Sequence, residues 1–405
     1  MKRNGLFALI VLALLALAVS ACAPAASSLT PAPKGTAPAA GKETPKPAAK
    51  EPVKVAMVIA KTGTFGGPGT AIARAVELEI ERVNAKGGAD GRPIQLVSYD
   101  DQSKSEETVA LLKKAAQEDK VAAIIGPLPS VLIAPALPVL RDLKVPAYGF
   151  GSPVLTPDDK YFFTNVNTLD DLMTVYFDYI KKKGWKKVAG LHPRDDLSER
   201  ASKLIETMAA KYGFDLVGQE RMGQTDTDVT PQLTKLKALN PEALIAWGTG
   251  DPAVLVYKNA RQIGFPAPIF FNTSAAGSQW FKLTGDIPQE GLIYVGGAKL
   301  QVTDALADTD PLKKEALDFR QAFAAKYGGL LPEYNEAVAW DTVHHLADAV
   351  KAGGSDREKI KEYLENSKIC GIGFCYTKTP ANHVGLDVSS MYVMTAKGNS
   401  WILSK

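Results

Sequence analysis

The chain has 405 residues, of which 46% are hydrophobic and 22% charged, with a formal net charge of +3. That balance excludes a disordered chain, a collagen-like repeat and a strongly basic nucleic-acid binder. A single apolar run near spanning length, at the very N-terminus, excludes a multi-span membrane protein, and three cysteines are too few for a disulfide-built scaffold.

Lys2 and Arg3 precede a nearly unbroken apolar run, Leu6 to Val19, and small Ser20 and Ala21 lead into Cys22. This is the layout of an export signal, too short and wrongly flanked for a lasting membrane span. Val19-Ser20-Ala21-Cys22 resembles the bacterial lipobox. The resemblance implies a signal peptide over 1–21 and a lipidated Cys22; the alternative is an ordinary signal peptide with an incidental cysteine. Loss of Lys2 and Arg3 would lower the charge from +3 to +1, too little for long-range steering of a partner. Ala, Pro, Ser, Thr and Lys dominate the stretch that follows, so 22–52 reads as an anchor point and semi-extended tether.

From Val53 short apolar runs alternate with amphipathic stretches. Val53 to Ala60 reads as a buried strand, followed by the Gly-rich turn Thr62-Gly63-Thr64-Phe65-Gly66-Gly67. Ile72, Val76, Ile80 and Val83 then share one helix face, which Gly87-Gly88 ends. Ile94 to Tyr99 is a second strand, and Ser103 with Glu106 reads as a capping box for a helix to about Glu118. Val121 to Ile125 and Val145 to Phe150 read as strands around a helix over 131–142. After a break near 164–170 the rhythm resumes, with strands at Lys187–Leu191, Asp215–Val217, Ala243–Trp247 and Ile269–Phe271. Helices near 170–183, 198–212, 229–239 and 252–263 separate them. Helices near 311–327, 334–352 and 356–366 come next, then hairpin-like strands over 370–405 with turns at Thr379-Pro380 and Lys397-Gly398-Asn399. The predicted class is α/β, with two similar doubly wound parallel-sheet lobes.

Few residues carry chemistry on their own. Gly63, Gly66, Gly67 and Gly69 do not make the G-x-G-x-x-G of a dinucleotide fold, although glycines before a helix let backbone N–H groups approach a polar ligand. Cys370 and Cys375 enclose four residues, a spacing that suits a disulfide in an exported chain; two free thiols or a metal site are the alternatives. His383 is the one nearby histidine, which argues against zinc. His344 and His345 are adjacent in a predicted helix and point about 100° apart, so they read as surface or packing residues. No G-x-S-x-G, H-E-x-x-H or P-loop occurs, which argues against an enzyme.

Several segments together resemble a known family over essentially all of 53–405. They are Val55-Ala56-Met57-Val58-Ile59 with Thr62-Gly63, Val83-Asn84-Ala85-Lys86-Gly87-Gly88, Tyr99-Asp100-Asp101, Ile124-Ile125-Gly126-Pro127 and Val145-Pro146. Gly184-Trp185-Lys186-Lys187-Val188-Ala189, Ala260-Arg261-Gln262-Ile263-Gly264 and the stretch Pro380 to Leu386, close to a subgroup's S-P-E-D-H-N-G-L, continue the series. In this order they resemble the type I periplasmic substrate-binding proteins of ABC importers for branched-chain amino acids and related molecules. The resemblance implies two lobes joined by three hinge crossovers, here near 165–169, 294–299 and 368–377. Lobe 1 would then comprise 53–166 plus 298–367, and lobe 2 168–295 plus 378–405.

It also implies a ligand between the lobes at the carboxyl ends of the strands. Ser130, Gly151 and Ser152 would offer hydroxyl and N–H groups to a carboxylate, unless Ser130 only caps its helix. Thr64 and Phe65 in the first loop and Tyr334 would shape the pocket, with Trp247 and Asn335 as weaker candidates. In lobe 2 the family pattern is broken. The usual tyrosine before Gly-x-Gly is replaced by Leu197-Ser198-Glu199-Arg200, and the usual acid for an α-ammonium by Asn272-Thr273-Ser274. Gly250 and Asp251 form another cleft loop, where Asp251 could replace that acid or cap the next helix. A buried ammonium without an anion is costly, so small carboxylates, aromatic acids and amides stand beside amino acids as ligands. The implied protein is a monomeric, exported, lipid-anchored solute receptor with no cofactor, no metal and no nucleic-acid partner, which delivers cargo to an ABC permease and its ATPase. The rival expectations are an extracytoplasmic ligand sensor of the same fold and an exported hydrolase.

Overall fold

The computed structural model describes residues 50–194, 196–223, 225–247, 251–287 and 291–404; the expected signal peptide, Cys22 and nearly all of the expected tether lie outside them. The body opens with β1 (Val53–Ile59), α1 (Gly66–Ala85), β2 (Ile94–Asp100), α2 (Ser105–Gln117), β3 (Ala123–Ile125), α3 (Ser130–Leu143), β4 (Ala147–Gly149) and β5 (Phe162–Thr164). The five strands form a parallel sheet in the order β2-β1-β3-β4-β5. Alternation along β1 explains why it is central. Val55, Met57 and Ile59 face one core layer, while Ala56 and Val58 face the other, and all five are fully buried. The chain leaves β1 toward β2 and returns on the other side as β3, so the carboxyl ends of β1 and β3 flank a crevice.

The second lobe runs through α4 (Leu169–Lys182), β6 (Lys187–Pro193), α5 (Asp196–Tyr212), β7 (Asp215–Met222), α6 (Thr230–Ala238), β8 (Ala243–Ala246), α7 (Asp251–Gln262), β9 (Ile269–Phe271), α8 (Gln279–Thr284) and β10 (Ile293–Gly297). The chain continues through α9 (Lys313–Lys326), α10 (Tyr334–Gly353), α11 (Arg357–Glu365), the ladder of β11 (Lys368–Cys370) with β12 (Cys375–Thr377), and finally β13 (Tyr392–Lys397) and β14 (Ser400–Leu403). The second sheet has the order β14-β13-β10-β9-β8-β6-β7. It is mixed rather than wholly parallel, because β13 runs antiparallel to β10 and forms a hairpin with β14. α10 packs along α1, where buried Glu79 is paired with Arg82 and His344, so this helix belongs with the first sheet.

Some local readings also differ from the structure. β5 ends at Thr164, where the predicted break near 164–170 begins, and its three residues are too short a run for alternation to reveal. Ser103 does not cap α2: the N-cap is Lys104, and Ser103 Oγ instead accepts the Phe65 N–H at 3.0 Å and donates to the Thr62 carbonyl at 2.8 Å. The hydroxyl is spent on fixing the β1–α1 loop.

A buried polar cluster ties together the segments that follow β5 and β10 and those around β11 and β12. Asp341 of α10, fully buried, accepts the Gly373 and Phe374 N–H groups at 2.9 Å and the Tyr376 hydroxyl at 3.0 Å. Those residues lie in and beside the loop closed by the Cys370–Cys375 disulfide. The same loop accepts the Lys299 and Leu300 N–H groups after β10, and Tyr376 also donates to the Asn165 carbonyl after β5. Lys378, 2% exposed, donates to the carbonyls of Thr164, His383 and Val384 at 2.6, 2.9 and 2.7 Å. Burial pushes the Asp341 carboxyl up to about 7 and the Lys378 ammonium down. Three donors on the one and three carbonyls on the other favour the charged form of each.

Candidate functional site

Ser130, Gly151 and Ser152 come together at the carboxyl ends of β3 and β4. Ser130 is the first residue of α3, one position beyond the N-cap, Pro129. Its Oγ accepts the Ser152 N–H at 2.9 Å. A Cβ on Gly151 would lie 2.7 Å from the Ser130 nitrogen and 2.8 Å from its Oγ, so only glycine allows this approach. A neighbouring cavity of about 210 Å³ is lined by Ser152 with Thr164, Thr168, Asn382 and His383. Thr64 is exposed and Phe65 half-buried on the β1–α1 loop, which is pinned to β2 through Asp100.

A larger cavity, of about 750 Å³, lies between elements of both lobes. From the first come the start of α1 (Gly67, Pro68, Arg74) and the start of α10 (Glu333, Tyr334, Asn335, Glu336). From the second come Thr273 and Ser274 after β9 and Trp280 of α8. Thr273, Ser274 and Tyr334 are thereby brought together, apart from the Ser130 group in cavity lining. The Asn272 side chain is spent locally, accepting the Ser274 N–H at 2.9 Å. The Tyr334 hydroxyl donates to Asn167 Oδ1 at 2.6 Å, linking the cavity wall to the segment between β5 and α4. Trp247 is buried in the core and does not line either cavity. Gly250 lies outside the described residues; Leu197 and Asp251 fall in the first turns of α5 and α7, with side chains outside them.

Sequence reasoning missed the charged groups of this cavity. Glu333 Oε1 accepts the Ser278 N–H at 2.7 Å, and Glu336 Oε2 accepts the Glu333 N–H at 3.0 Å. Glu336 is 7% exposed, and burial pushes its carboxyl up to about 6. The signal was present as two acids three residues apart at a helix start, which reads first as capping.

The profile of the periplasmic binding protein family matches residues 52–400. The chain belongs to that family. An amino acid binding protein of Pseudomonas aeruginosa is 26% identical over 316 residues, 76% of this chain and 81% of the relative. A leucine-, isoleucine-, valine-, threonine- and alanine-binding protein of the same species is 23% identical, covering 84% of this chain and 87% of the relative. Among solved structures, an extracellular ligand-binding receptor from Rhodopseudomonas palustris superposes with a TM-score of 0.75 at 21% identity, over 88% of this chain and all of that one. The architecture is the type I periplasmic binding fold, two α/β lobes with a cleft between them, in a family of binding proteins rather than enzymes.

Proposed function

We propose that this chain is the exported, lipid-anchored receptor of an ABC importer. It captures a small polar or carboxylate-bearing molecule between its lobes and delivers it to a membrane permease as a monomer. The supporting observation is the 750 Å³ cavity, which both lobes line and which falls within the size range of small-molecule sites. A cavity with walls on two lobes favours the closed arrangement when filled, because only the closed form offers both walls to the ligand. In this reading Ser130, Gly151 and Ser152 receive an anionic end, and Thr64, Phe65, Leu197, Gly250, Asp251, Thr273, Ser274 and Tyr334 complete the cleft. Cys22 carries the lipid. The two lobes move about connections near 165–169, 294–299 and 368–377. A sensor that signals when occupied is the second reading, supported by the receptor from Rhodopseudomonas palustris of the same fold.

A thermal-denaturation panel of amino acids, aromatic acids, dicarboxylates and amides tests the proposal. A true ligand raises the melting temperature in proportion to the logarithm of its excess over Kd and is recovered unchanged after denaturation. A panel without any stabilising member, or a member recovered as a new compound, contradicts it.

A further inference from the structure

Resting on the reading that the cleft takes a small solute, we propose that Glu336 is the counter-ion for a protonated amine on that solute. The lobe 2 loop Asn272-Thr273-Ser274 has no acid, and its one carboxamide is occupied by the Ser274 N–H. The structure sets Thr273 and Ser274 on the same cavity as Glu333 and Glu336, which approach from the opposite lobe. The acid absent from one wall is present on the other.

The charges of this cavity do not close without a guest. Its lining holds two carboxylates, Glu333 and Glu336, against one guanidinium, Arg74, leaving one negative charge. Among the described residues no ion pair joins Arg74 to either acid, and its guanidinium lies over the Tyr327 ring, 5.6 Å from the centroid. Both acids accept backbone N–H groups, Glu333 that of Ser278 across the cavity and Glu336 those of Glu333 and its own residue. A carboxylate so deeply buried, which Arg74 favours only from a distance and without an ion pair among the described residues, is costly, and a ligand ammonium would supply a direct partner. Trp280, Phe323 and Tyr334 line the same cavity, so aromatic side chains border the space an organic cation would occupy.

The test titrates the whole protein, purified in detergent, with L-leucine and with 4-methylpentanoate, which keeps the carboxylate and carbon skeleton but lacks the amine. Melting temperature is the readout, for wild type and for Glu336→Gln. Stabilisation by leucine at least tenfold tighter than by 4-methylpentanoate, with a tenfold or greater loss in Glu336→Gln, is the expected result. The wild-type comparison of the two probes stands even where the variant folds poorly. Equal affinity for the two probes, equal leucine affinity in the variant, or stabilisation only by panel members without an amine overturns the counter-ion role and leaves the receptor reading intact. A wild-type protein that no panel member stabilises removes the receptor reading, and this inference with it.

Discussion

The Ser278 N–H donates to Glu333 Oε1 at 2.7 Å, so a backbone donor of the second lobe meets a carboxylate that starts a helix of the first. A Cβ on Gly277 would stand 3.0 Å from Glu333 Oε2, which shows how closely the loop before α8 approaches α10. In the proposed closure this contact forms only when the lobes come together. Glu333→Ala should therefore weaken ligand binding about tenfold, or about 1.4 kcal/mol, by taking a charge-assisted hydrogen bond from the closed form alone. Titration of the variant with the best panel ligand checks this; unchanged affinity would mean that the contact is not part of closure.

Ser130→Ala should weaken the best ligand by about 1–2 kcal/mol through one lost polar contact, while the unliganded melting temperature stays nearly unchanged. Gly151→Ala should cost more, because its methyl group would occupy the space against the Ser130 nitrogen and Oγ. Equal ligand affinity in Ser130→Ala would reduce the pair to a loop contact.

Asp341→Ala should destabilise the unliganded protein by about 3 kcal/mol, since two N–H groups and the Tyr376 hydroxyl lose their buried acceptor. The comparison is Asp308→Ala, which removes a pair with Lys313 from an aspartate that is 97% exposed and should leave stability nearly unchanged. Chemical denaturation of both variants checks the contrast. Reduction of the Cys370–Cys375 disulfide should act in the same direction as Asp341→Ala, because it loosens the loop that supplies those donors.

The Glu336 carboxyl gives two pH dependences of opposite sign. Its folded value, about 6, lies above the ordinary 4.5, so between those values the native state holds the proton more firmly than the unfolded chain. Stability of the empty protein should fall as pH rises through that window, by about 2 kcal/mol, and Glu336→Gln should flatten the profile. The facing groups are Glu333, which raises the value, and Arg74, which lowers it. Affinity for an amine-bearing ligand should instead rise through the same window, as the carboxylate ionises. Melting curves at pH 4.5 to 6.5, with and without ligand, separate the two.

Much of the fold was legible because buried parallel strands announce themselves. β1 is apolar on both faces, and Ile72, Val76 and Ile80 repeat at helical spacing over the adjoining core. β5 and β10 were not read, since a three-residue strand and a Gly-ended one carry little periodicity. Local cues also mislead where a side chain has a distant employer. Ser103 looked like a cap and serves the β1–α1 loop, 38 residues away from Phe65 in sequence. The meeting of Ser130 with Ser152 could be suggested from strand ends, but the acids of α10 could not be placed opposite Thr273 without the third dimension. A capping pair and a counter-ion have the same spelling.

The account turns on a cleft that closes over its ligand. Small-angle X-ray scattering of the protein, with and without the panel member that most raises its melting temperature, measures this directly. The account predicts a smaller radius of gyration at saturation, lost again when the ligand is dialysed away. An unchanged radius at full occupancy would contradict it.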